Sequence, residues 1–283
     1  MTVVNPISGN INKTEICNHI EKVNDGRFSI SFFKTTGDND KEKLEKEINK
    51  DEFDRVIVLG GDGTIQLVAS VILDKNIELG IIPCGSSNGL ASNFNIPENR
   101  KKQIQLALGD KVQEMDCIIV NDQVCIHITD LGLNAELIKH YEKSRMRGKT
   151  AYIFKSFFTL FQADYPYDFV IEINDKKIHR KGIFLGVTNF KDFGMGARIN
   201  PEAKISDGFF EIVIFKKLSV KGIIKTFFKT THLDNDNIEH FSVKKARIIC
   251  ETKPINMQID GEFVGKTREL NVKVSEQKLL IAH

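Results

Sequence analysis

Short apolar runs alternate with helical spacings along the first third of the chain. Val3-Val4 opens a strand so near the start that a short upstream continuation is expected. Ile16, Ile20 and Val23 mark one face of a helix, and Phe28, Ile30 and Phe32 alternate as a strand. Leu44 and Ile48 mark a second helix, Val56-Ile57-Val58-Leu59 a buried strand, residues 65–73 a third helix, and Leu79-Gly80-Ile81-Ile82 a further buried strand. Strands alternating with helices predict an α/β domain whose parallel sheet carries helices on both faces. In such sheets ligands bind where the carboxyl ends of strands turn into helices.

After Met115 the period changes. Residues 117–128, 167–174, 178–188, 209–215, 241–250, 255–264, 268–274 and 278–282 read as strands, interrupted by helices near 149–163 and 219–230. Asn174-Asp175-Lys176-Lys177 and Asp260-Gly261-Glu262 have the composition of hairpin turns or strand junctions. The expected division is an α/β domain over residues 1–118 and an antiparallel β domain over 119–274, with 275–283 returning to the first.

Composition narrows the function. The 283 residues carry a net charge of +2, which provides no bulk field for nucleic acid, and none is expected as a partner. The five cysteines (Cys17, Cys84, Cys117, Cys125, Cys250) form no C-x-x-C pair, which fits a reducing cytoplasm better than a disulfide or zinc framework. The opening residues do not read as a secretory leader. The charge-free run 79–97 contains Pro83, Gly85, Gly89 and Pro97 and does not read as a membrane span.

Two loops carry the sharpest chemistry. In Val58-Leu59-Gly60-Gly61-Asp62-Gly63-Thr64 a buried strand runs directly into glycines around one acid. Glycines let backbone amides approach a phosphate chain, and the following helix adds a favourable dipole; the plainer alternative is a turn with Asp62 as a helix cap. The second loop, Pro83-Cys84-Gly85-Ser86-Ser87-Asn88-Gly89, has the same strand-to-helix design and also matches G-x-S-x-G, a hydrolase pattern with Ser87 as nucleophile and Asp207 with His232 or His240 as partners. Gly148-Lys149-Thr150 and Gly265-Lys266-Thr267 lack the earlier glycine of a P-loop. Lys139, Lys143, Arg145, Arg147 and Lys149 against Glu142 leave a surplus of four positive charges beside the apolar segment 156–161, which reads as a solvated basic turn before a core helix or, alternatively, as a site for anionic lipid.

Taken in order, the motifs resemble those of the diacylglycerol kinase-like lipid kinases, which include bacterial diacylglycerol kinase and the sphingosine and ceramide kinases. Asn5-Pro6-Ile7-Ser8-Gly9 resembles the family's opening loop, Gly60 to Thr64 its nucleotide loop, and Pro83 to Asn88 its P-x-G-T-x-N loop. Leu131 to Glu136, Gly148 to Tyr152, Asn200 to Gly208 and Asp260-Gly261-Glu262 follow in the same order. The resemblance implies an N-terminal α/β domain of the phosphofructokinase and NAD kinase kind and a C-terminal antiparallel β-sandwich holding the lipid site. It implies ATP and Mg²⁺, with nucleotide contacts from Asn5, Pro6, Ser8, Gly9, Gly60, Gly61, Asp62, Gly63, Thr64, Gly85, Ser86, Asn88 and Glu262. Asp62 is expected at the phosphates, Asp260 as general base and Asp207 in a magnesium network. A lipid substrate, a peripheral position at the inner membrane face and, through exposed edge strands, a homodimer follow as expectations.

Two departures from the family stand out. Gln66 and Leu67 stand where an Asn-Glu pair usually follows the first loop, and Ser86 replaces a Thr. The first removes a carboxylate and makes a binding-only protein the alternative; NAD kinase, which shares the Gly-Gly-Asp-Gly-Thr loop, is the nearest enzymatic rival.

Overall fold

The computed structural model describes residues 1–86, 88–132, 135, 166–193, 197–198, 200–217 and 237–283. It forms two compact units, Met1–Met115 with Glu276–His283, and Asp116–Ser275. The first contains β1 (Thr2–Val4), α1 (Lys13–Asn24), β2 (Phe32–Lys34), α2 (Asp40–Ile48), β3 (Arg55–Gly60), α3 (Asp62–Ile72), β4 (Glu78–Pro83), α4 (Gly89–Asn93), α5 (Arg100–Ala107) and the start of β5 (Val112–Val120). The second continues through β6 (Gln123–Cys125), β7 (Ile128–Gly132), β8 (Tyr167–Ile173), β9 (Lys176–Gly182), β10 (Phe184–Thr188), β11 (Asp192–Phe193), β12 (Ala197–Arg198), β13 (Phe210–Phe215), β14 (Ile238–Val243), β15 (Lys245–Cys250), β16 (Ile255–Ile259), β17 (Glu262–Thr267) and β18 (Glu269–Ala282).

In the first unit β2-β1-β3-β4 form a parallel sheet, with Val3 opposite Phe33 and Val58, and Leu59 opposite Ile82. The end of β18, Leu280–Ala282, pairs with β4 in parallel. Val56 to Gly60 of β3 are all buried, as expected of a strand covered on both faces. On one face Ile57, Leu59 and Ile82 join Ile16 and Ile20 of α1 and Ile104 and Ala107 of α5. Each isoleucine or leucine among them contributes about 1.5–3 kcal/mol when fully buried. The Asn12 side chain caps α1 by accepting from the amides of Thr14 and Glu15.

The second unit is an antiparallel sandwich. One sheet has the order β14-β13-β10-β7-β16-β17, the other β9-β8-β15 with the first half of β18. Leu131, Leu185, Val187 and Ile212 from the first sheet share a core with Phe169, Ile171, Ile248 and Leu270 from the second. Three hairpins close on two residues with positive φ: Asn121-Asp122, Asn174-Asp175 and Asp260-Gly261. Asn, Asp and Gly are the residues that tolerate this left-handed turn.

Several boundaries differ from the sequence pattern. The stretch 117–128 breaks at Asn121-Asp122, and 268–274 with 278–282 is one strand, β18. Phe28 lies outside β2 and is 42% exposed, because the Asn24 side chain bonds both the amide (3.0 Å) and the carbonyl (2.8 Å) of Phe28 and holds a turn there. Helix α5 had no sequence signal; it starts from the Asn99 cap and is carried by Ile104 and Ala107. The expected helices at 149–163 and 219–230 and the basic cluster from Lys139 to Lys149 lie outside the described residues.

Candidate active site

In the first unit three loops converge at the carboxyl ends of β1, β3 and β4, and they are the three singled out from the sequence. Asn5 leaves β1 with its amide on the Leu59 carbonyl (3.0 Å) and its side chain donating to the Thr64 hydroxyl (3.0 Å). The Ser8 hydroxyl donates to the Cys84 carbonyl (3.1 Å), and Gly9, at φ +65°, packs so closely that a Cβ there would lie 1.9 Å from the same oxygen. Only glycine fits that combination of left-handed backbone and close approach. Gly61 and Gly85 meet backbone to backbone, since a Cβ on Gly85 would stand 2.6 Å from the Gly61 Cα. Pro6, Gly9, Gly63 and Ser86 are exposed at this edge, whereas Thr64 is buried beneath it.

Asp62 is the first residue of α3, whose own cap is Gly61. Its carboxylate accepts from the amides of Gly89 (3.0 Å) and Leu90 (3.2 Å), the first residues of α4. Asp62 therefore does cap a helix, but the one leaving the other loop, and the bond ties the first glycine loop to the second. Asn88, at φ +52°, closes that second loop by a reciprocal pair with Gly85, its Oδ1 accepting from the Gly85 amide (2.8 Å) and its Nδ2 donating to the Gly85 carbonyl (2.9 Å). Arg100 supports the loop from below, donating to the Pro83 carbonyl (3.1 Å) and the Gln103 side chain (2.7 Å). Burial pushes the Cys84 thiol pKa up, with Arg100 and Lys13 opposing. Ser87 lies outside the described residues.

In the second unit Asp260 occupies the hairpin between β16 and β17 at φ +50°. Its Oδ1 accepts from the amides of His127 (2.8 Å) and Ile128 (3.0 Å), and its Oδ2 from that of Ile126 (2.8 Å). The buried Cys125 thiol donates to Oδ1 at 3.4 Å. Burial raises the carboxyl pKa, while the three amides and the nearby His127 pull it back. The His127 ring nitrogen Nε2 lies 2.9 Å from the Asp192 carbonyl, so Nε2 carries the N–H of that bond. Gln258 orders the hairpin base: its Oε1 accepts from the Gly261 amide (2.7 Å), and its Nε2 donates to the fully buried Asp130. Glu262 pairs across the turn with Ile259 and is exposed.

Asp207 is exposed and accepts from the Phe209 amide (3.1 Å). Beneath it buried Asp116 accepts from the Gly208 amide (2.6 Å), and Glu211 accepts from Asn200 (2.9 Å) and Ser242 (3.2 Å). Burial lifts the Glu211 pKa, and Asp207 adds to that. Among the described residues no three His, Cys, Asp or Glu side chains gather as a metal-holding group.

Asp116, His127, Asp130, Gln258 and Glu211 were not anticipated. The usable signal was a polar residue within a strand buried on both faces, as in Ile128-Thr129-Asp130-Leu131-Gly132, where every position is buried.

Comparison with known proteins agrees with both units. Residues 1–120 match the diacylglycerol kinase catalytic domain, and residues 128–282 match the YegS C-terminal NAD kinase beta sandwich-like domain. A diacylglycerol kinase of Bacillus subtilis is 26% identical over 98% of this chain and 96% of its own. One from Staphylococcus haemolyticus is 25% identical over 93% and 82%. A crystal structure of a diacylglycerol kinase from Bacillus anthracis superposes with a TM-score of 0.78 at 18% identity, covering 100% of this chain and 95% of that one. Yeast NADH kinase shares the fold at a TM-score of 0.50 and 9% identity. Sandwich and α/β unit together define the fold shared by diacylglycerol and NAD kinases. The chain belongs to the diacylglycerol kinase-like lipid kinase family.

Proposed function

We propose that this protein transfers the γ-phosphate of ATP, presented with Mg²⁺, to the hydroxyl of a lipid such as diacylglycerol or a sphingoid base. The observation that carries this reading is the backbone packing of Gly61 on Gly85, with Gly9 on Cys84: three loops in family order, held close at a strand-end edge by residues too small to fill it. Asn5, Pro6, Ser8 and Gly9, Gly60 to Thr64, and Gly85, Ser86 and Asn88 would cradle the nucleotide. The first amides of α3, which precede its hydrogen-bond ladder, suit a phosphate. Asp62 holds the two glycine loops in register. Magnesium would arrive with ATP; it usually keeps several waters and needs only one or two protein carboxylates, and Asp207 and Glu262 are the acids proposed for it.

Asp260 is the proposed general base. Oδ1 accepts three bonds among the described residues and Oδ2 one, so Oδ2 keeps capacity for a proton. The lipid O–H bond breaks as its proton passes to Oδ2, the oxygen forms the bond to γ-phosphorus, and ADP departs with the electrons of the broken P–O bond. Among the described residues no helix is long and apolar enough to cross a membrane; the lipid acceptor argues for peripheral docking at the inner face, and pairing of edge strands for a homodimer.

Asp260→Ala should lower turnover at least about a hundredfold, the usual scale for a positioned proton-transfer group, and Asp62→Ala about as much, by releasing the two glycine loops and misplacing the nucleotide. Unchanged rates in both would refute the assignment. Leu67, half-buried in α3 where the family resemblance implies a Glu, favours one second reading, a nucleotide-binding protein without transferase activity. Mg·ATP binding without transfer to any lipid, together with transfer restored by Leu67→Glu, would establish it. Conversion of NAD to NADP by the pure protein would instead identify an NAD kinase.

A further inference from the structure

We propose that Lys13 supplies the fixed positive charge of the nucleotide-phosphate site; the inference rests on the proposed nucleotide loops. Lys13 is the first residue of α1 and only 7% exposed. Its Nζ donates to the Ser8 carbonyl and to the Ile11 carbonyl (3.2 Å), so the ammonium sits directly behind the Asn5 to Gly9 loop. Ser8 reaches on to the Cys84 carbonyl, and Lys13 acts electrostatically on the Cys84 thiol, which places its charge within reach of the second loop as well.

Apart from those two carbonyls, nothing local among the described residues favours a cation there. The N-terminal end of a helix already carries positive partial charge, so a lysine at its first position is unfavourable. Burial of an ammonium is costly unless an opposite charge compensates. Among the described residues no carboxylate lies within ion-pair distance of Lys13. Two carbonyls take two of its three hydrogens but leave its charge unneutralised. A polyphosphate in the adjoining loops is the anion that would complete the arrangement. Lys13 acts as a positioning residue, holding Ser8 through its carbonyl and adding charge from behind.

The test is calorimetric titration of the full chain with AMP, ADP and ATP in the presence of Mg²⁺, without lipid, for wild type, Lys13→Met and Lys13→Gln. Lys13→Gln keeps a donor for the Ser8 carbonyl, and thermal melting verifies that each variant is folded. A neutralising charge makes the penalty grow with phosphate number, from about threefold for AMP to about tenfold or more for ATP, in both variants. Equal penalties for AMP and ATP, or full recovery of ATP affinity in Lys13→Gln, would reduce Lys13 to a loop staple and overturn the inference. Wild-type protein that binds none of the three nucleotides would overturn the nucleotide site itself, and the two failures are thereby distinguishable.

Discussion

Asp260 shows how one residue can be both turn and chemistry. Its left-handed backbone makes the hairpin, and its carboxylate fastens the segment Ile126 to Ile128. Because burial dominates, its pKa is raised. A base with a raised pKa is protonated over a wider acidic range, so the acid limb of the turnover profile should lie above the ordinary aspartate value of about 4. Stability runs the other way: the folded state binds this proton more readily, so the contribution is complete below the unfolded pKa and is lost as pH rises through the folded one. A pH-rate profile with paired urea unfolding should show activity rising and stability falling across the same interval; an acid limb at about 3 would contradict the burial. Asp62 and Asp260 stood out in the sequence because glycine neighbours mark them. His127 and Asp130 did not, since an isolated polar residue inside an apolar strand has no spacing to reveal it.

Among elements, the three strand-end loops were legible because glycine, serine and asparagine cluster after runs such as Val58-Leu59 and Ile81-Ile82. Their mutual packing was not, because it depends on which strands are neighbours: β3 lies between β1 and β4, which brings Gly9, Gly61 and Gly85 to one edge. Gly9→Ala tests that packing against a matched control. Both Gly9 (φ +65°) and Gly26 (φ +74°) are left-handed, but a Cβ meets nothing within 4 Å at Gly26. Gly26→Ala should cost about 1–2 kcal/mol for the backbone alone. Gly9→Ala should cost about 1–3 kcal/mol more through overpacking, read by urea unfolding, and should weaken ATP binding. Equal costs for the two would mean that the loops do not press on one another. Helix α5 and the single long β18 escaped the sequence pattern for a related reason. Each takes its burial from partners distant in the chain, α5 from α1 and β4, and β18 from β15 and β4.

For the whole molecule, two units with separate cores carry the two halves of the proposed chemistry, nucleotide loops in the α/β unit and the proton acceptor in the sandwich. The change of period near Met115 made that organisation visible, and the ordered motifs made the family visible. Acceptor identity was not legible, because a lipid pocket is a shape assembled from many weakly patterned apolar side chains. The decisive measurement is transfer of labelled γ-phosphate from Mg·ATP into the organic phase, using mixed micelles of diacylglycerol, ceramide, a sphingoid base and a monoacylglycerol. The expected result is label in one lipid class, abolished by Asp62→Ala and by Asp260→Ala. Absence of label from every lipid, or label that survives both substitutions, would contradict a lipid kinase built on these residues.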